Sequence, residues 1–160
     1  MKKQPDGGVR PTGSDHPSVV LEVGSSESLG QLHLDAQLWL EHTNYVRFPP
    51  LFFTPTRQLL QVNLVVLICI DPPLPPNTTP RITFQLWRPV APVRPLRPSS
   101  NAQPRVAQVV QNDDWTLNAT PVRILLSEIF GVQIPAAYGG QIHVDINTQR
   151  LRQKIIDSYP

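Results

Sequence analysis

Lysine and cysteine are nearly missing from this chain: among 160 residues the lysines are Lys2, Lys3 and Lys154, and Cys69 is the single cysteine. One cysteine excludes an internal disulfide framework and any Cys-based zinc site. Its place inside an apolar run reads as a small buried hydrophobe. Histidine offers no metal pair, since His16, His33, His42 and His143 include no i, i+4 spacing. There is no Gly-x-Ser-x-Gly nucleophile turn and no glycine-rich phosphate loop. Long apolar stretches are missing too. The longest, Leu64 to Ile70, is far below the roughly 20 residues of a membrane helix. Met1-Lys2-Lys3 runs into Gln4-Pro5-Asp6 and not into an apolar region, so no secretory signal is read. These absences predict a soluble, intracellular protein with no membrane partner, cytoplasm and nucleus both remaining open.

What is abundant is proline, 19 residues, which excludes a mainly helical protein. The length predicts a single domain over 1–160, and 40% hydrophobic residues suffice for a core. The formal net charge of +2 comes from arginine, so nucleic acid is permitted as a partner and not demanded. A protein partner or a homo-oligomer is equally open.

The chain is organised around Pro17 to Leu40. Ser18 to Val23 is β-branched and apolar except for Glu22, which predicts a strand with one acid near its end. Such a carboxylate is costly unless something pairs with it. Gly24-Ser25-Ser26 breaks the strand, and Ser26 or Ser28 caps a helix reaching His42, with Leu29, Leu32, Ala36, Trp39 and Leu40 as its apolar stripe and Asp35 as a charged member. Residues 1–16 form a polar segment in which Pro5-Asp6-Gly7-Gly8 reads as a turn. Tyr45 to Arg57 reads as an aromatic and proline-rich loop packed over the core edge, with a partner surface as the alternative. Gln61 to Asp71 is the clearest strand, and its order after strand and helix predicts a β-α-β crossover with parallel strands. Arg81 to Arg88 alternates Ile82, Phe84 and Leu86 with Thr83, Gln85 and Trp87, a strand with one more exposed face. Pro89 to Pro104 reads as an extended loop rich in proline and arginine. Strands are expected at Val106 to Gln111, with Asp113-Asp114 as its turn, at Pro121 to Leu125 and at Gln141 to Ile146. A short helical turn is expected at Ser127 to Phe130, and a closing helix over Asn147 to Tyr159 docks through Leu151, Ile155 and Ile156.

The chemistry-bearing residues left over are carboxylates: Asp6 after a proline, Glu22 at a strand end and Asp35 on the following helix. Two carboxylates at a sheet edge suit a hard divalent ion such as Mg²⁺, with water and a substrate phosphate completing its shell.

Pro5-Asp6, then Glu22-Val23-Gly24 with its serine-rich turn, then the Asp35 helix resembles the PD-(D/E)XK, or restriction-endonuclease-like, superfamily. The likeness is closest to the putative restriction endonuclease domain of small bacterial and fungal proteins, through a PDG and VLEVG-SES-LxxDAxxWL pattern at Pro5 to Gly7 and Val20 to Leu40. The resemblance implies an α/β fold, a restriction-endonuclease-like mixed sheet flanked by helices, here N-terminally truncated because the elements that usually precede the PD motif are not seen. It implies Mg²⁺ or Mn²⁺ as cofactor, held by Asp6, Glu22 and the Val23 carbonyl, with Asp35 or Gln31 behind them and Gln31 able to orient water. Catalysis would then rest on Asp6, Glu22 and Gln31. The pattern departs from the family where it matters for rate. Gly24 stands where the superfamily carries a lysine, and Trp39 stands four residues after Asp35, where some members carry it instead. Lys2 or Lys3, approaching from a neighbouring strand, is the substitute the chain offers. Two functions follow: a degenerate or weakly active metal-dependent nuclease, or a non-catalytic binding or assembly module on the same fold.

Overall fold

The computed structural model describes residues 4–12, 14, 16–25, 28–42, 62–76, 78–90, 106–131 and 134–158. Its centre is a strand-helix-strand unit: β2 (Val19–Gly24), α1 (Leu29–His42) and β3 (Leu64–Asp71). β2 and β3 pair in parallel from Val19↔Leu64 to Gly24↔Cys69, as the crossover order predicts. Both strands are near-continuously apolar because both faces of the sheet are covered. Ser28 starts α1, its hydroxyl accepting the Gln31 backbone N–H at 3.3 Å.

The remaining strands extend this pair into a five-stranded mixed sheet of order β1-β2-β3-β4-β5, so the domain is mixed α/β. β1 (Gly7–Val9), β4 (Arg81–Val90) and β5 (Val106–Asp114) each pair antiparallel with their neighbour. A second, two-stranded sheet joins β6 (Val122–Leu125) to β7 (His143–Ile146). α2 (Leu126–Phe130) follows β6, and α3 (Thr148–Asp157) is capped by Asn147, whose side chain accepts the Arg150 N–H.

Two apolar layers hold the sheet. On one face Leu32, Ala36 and Leu40 of α1 pack on Val20, Val65, Leu67, Cys69 and Trp87. On the other, Val19, Leu64, Ile68, Ile82, Phe84 and Leu86 meet Trp115, Val122 and Ile124, and Leu151, Ile155 and Ile156 of α3 dock there as their spacing predicts. Trp115 stacks on Phe84 with ring centroids 4.1 Å apart. α2 is tied down by Glu128, which pairs with the guanidinium of Arg88 and accepts the Leu125 N–H at 2.8 Å.

Four local readings are corrected. Gly7 and Gly8 are not a turn; they are paired strand. A Cβ at Gly8 would lie 2.6 Å from the Val19 carbonyl oxygen, so close backbone approach, and not positive φ, is what requires the glycine. Asp113 and Asp114 belong to β5 because β4 is long enough to pair them, at Phe84 and Thr83. Pro89 and Val90 finish β4, so the proline-rich loop starts later; residues 91–105 lie outside the described residues, as does the Tyr45 to Arg57 loop. The Gln85 and Trp87 face of β4 is not the exposed one. Gln85 is 3% exposed and Trp87 5%, because His33 and the apolar row of α1 cover them.

Candidate metal site

Period-two alternation along β2 sends Val20, Glu22 and Gly24 to the face that α1 covers. Glu22 is 5% exposed there. The 3.6-residue turn of α1 presents three neighbouring rows to the sheet. Leu32, Ala36 and Leu40 fill the core. On the side towards β4 and β5, His33 meets the Gln85 Oε1 at 2.9 Å, and Glu41 accepts the Ala107 N–H at 3.0 Å. That Gln85 oxygen also accepts the Trp87 indole N–H at 2.9 Å, which makes His33 the second donor and fixes its proton on Nε2. On the opposite side Gln31, Asp35 and Trp39 form a polar row at i, i+4 and i+8. The Gln31 amide lies 3.5 Å from an Asp35 carboxylate oxygen, and the Trp39 indole N–H donates to Glu22 Oε1 at 2.5 Å. Asp35 and Glu22 are both buried, and Gln31 is exposed.

Asp6 stands just before β1 and is exposed. The β1–β2 pairing ends at Gly7↔Leu21. Beyond it the chain bends at Asp6, and the side chain makes the next link to β2: Oδ2 accepts the Val23 N–H at 2.8 Å. A strand residue directs its N–H and C=O to the same neighbour. The Val23 carbonyl is therefore aimed at the edge that Asp6 occupies.

This donor set suits one kind of ion. Among the described residues no three His, Cys, Asp or Glu side chains stand together as a cation cage. Two carboxylates and a carbonyl with several waters fit Mg²⁺, which gives up its hydration reluctantly and takes only one or two carboxylates. Mn²⁺ takes the same oxygen donors. Cys69 is buried in the apolar layer beneath α1, and burial, and then the charge of Asp71, push its thiol above the ordinary value.

A larger side chain is excluded at Gly24, where the resembled superfamily carries a lysine. A Cβ at Gly24 would stand 2.9 Å from Leu32 Cδ1 and 3.3 Å from its Cγ, and Leu32 is 1% exposed. Lys2 and Lys3 lie outside the described residues. Sequence reasoning counted Leu32 only as a member of an apolar stripe, and Trp39 as a member of that stripe and as the residue standing where some members of the resembled superfamily carry a lysine. The signal for Trp39 was its place four residues after Asp35, one turn along the face that meets the acid. Leu32 gave no such signal, since only packing shows that it fills the space beside Gly24. Compared with known protein families, with curated proteins and with solved structures, the chain matches none of them.

Proposed function

We propose that this chain is a weakly active, metal-dependent nuclease-like domain that acts on nucleic acid phosphodiesters, with Asp6, Glu22 and the Val23 carbonyl as ligands of Mg²⁺ or Mn²⁺ and Gln31 orienting water. The observation that carries this reading is the Asp6 to Val23 hydrogen bond of 2.8 Å, which ties a carboxylate just before β1 to the residue next to Glu22 on β2. A bound divalent ion supplies a more acidic water and charge for the transition state. The chain's own contribution is to hold the ligands on β2 and just before β1. Weak activity follows from Gly24 and Leu32, which exclude a cationic side chain at that position. Loss of one positioned charge-stabilising donor costs on the order of 10²- to 10³-fold in rate.

The second reading, a non-catalytic binding or assembly module, is favoured by one observation. Glu22 is buried and engaged by Trp39, so it has a structural task without any metal. Calorimetric titration of Mn²⁺ into the purified chain, followed by assays on single-stranded DNA, double-stranded DNA and RNA, separates the two. The nuclease reading expects Mn²⁺ binding and slow cleavage, both lost in Glu22→Gln. Absence of binding, or cleavage that survives Glu22→Gln and so belongs to a contaminant, leaves the module.

A further inference from the structure

Glu22 is held by a group that cannot itself ligate a cation. An indole N–H only donates. With Oε1 accepting the Trp39 indole N–H at 2.5 Å, rotation of the planar carboxylate is restricted. The indole is itself steadied, because Trp39 is half-buried against the apolar layer beneath α1 and stands in the last turn of that helix, in line with Asp35 and Gln31. From this geometry we infer that Trp39 is a positioning residue of the metal site, acting through Glu22: it holds the carboxylate for the edge of β2 where Asp6 meets Val23. The inference rests on the metal reading of Asp6 and Glu22. Outer partners that orient a ligand carboxylate contribute about 10- to 100-fold to metal affinity. Phenylalanine at position 39 keeps the ring and loses the donor.

Two measurements test it. In a nitrogen-proton correlation spectrum of the full chain the three tryptophans give three indole signals, and the Trp39 signal is identified by its loss in Trp39→Phe. Titration of the wild-type chain with Mg²⁺, which is diamagnetic, moves the Trp39 signal with the midpoint found by calorimetry. The Trp87 and Trp115 signals, whose indoles bond to Gln85 and Thr120, stay in place. Trp39→Phe weakens Mn²⁺ binding by about tenfold or more. A Trp39 signal that stands still while Mg²⁺ binds, with Mn²⁺ affinity unchanged in Trp39→Phe, reduces Trp39 to packing and leaves the metal reading intact. No binding of either ion to the wild-type chain removes the metal reading and this inference with it. Should Trp39→Phe fail to fold, triple-resonance assignment of the wild-type chain identifies the Trp39 signal, and the Mg²⁺ titration decides alone.

Discussion

Gly24→Ala is the smallest change that probes how closely α1 packs over the end of β2. The added Cβ would meet Leu32 Cδ1 at 2.9 Å, Cγ at 3.3 Å and Cδ2 at 3.4 Å, three atoms of one fully buried side chain between β2 and α1. Leu32 cannot swing into solvent, so the helix or the strand must shift, and overpacking of this kind costs about 1–3 kcal/mol. The alanine returns roughly 0.5–1 kcal/mol by restricting the unfolded chain and favouring the strand. The expected net loss is about 1–2 kcal/mol, a fall of roughly 2–8 °C in Tm for a chain of this size. Leu32→Ala alone removes core packing and costs about 2–5 kcal/mol. In that background the clash is gone, and Gly24→Ala becomes neutral or stabilising. A double-mutant cycle by urea unfolding measures the coupling directly. An equal penalty for Gly24→Ala with and without Leu32, or no penalty in the wild-type chain, would refute the account of a closed position 24. If the coupling holds, grafting lysine at position 24 requires a smaller residue at position 32.

Two further predictions concern the frame around the site. Glu128→Ala leaves the half-buried Arg88 guanidinium without its carboxylate and removes the acceptor of the Leu125 N–H; it is expected to lower the unfolding free energy by about 3 kcal/mol in urea titration, whereas Glu128→Gln, which retains an acceptor, costs less. Hydrogen bonds from Thr116, side chain first and backbone N–H second, hold the Asp114 carboxyl below its ordinary 3.8, with a lesser pull from Arg81. Its folded-state value is depressed, so its small contribution is complete above about pH 4 and is lost as pH falls through the lower folded value. Melting curves of wild type and Asp114→Asn should converge on acidification below that range, and a gap that widens instead would contradict the assignment.

By itself the sequence determined the elements whose signal is local. Near-continuous apolar runs marked β2 and β3, three- and four-residue spacing marked α1 and the docking stripe of α3, and the strand-helix-strand order implied a parallel pair. These are readable because backbone period and burial repeat within a few residues. It also showed that Glu22 needed a partner. The tertiary structure alone decided which partner. Trp39 lies 17 residues away, and Asp6 lies 17 residues from Val23, so each contact depends on how a helix crosses a sheet and how two strands register. Gly7–Val9 is strand for the same reason: three residues carry no period, and their conformation is imposed by the edge of β2. Gln85 and Trp87 have the alternation of a wetter face, yet α1 covers them, and burial of that face is a property of the neighbouring layer. Gly24 was legible as a glycine at the end of β2. That a larger side chain is excluded there follows only from Leu32, brought against it by the packing of α1 on β2.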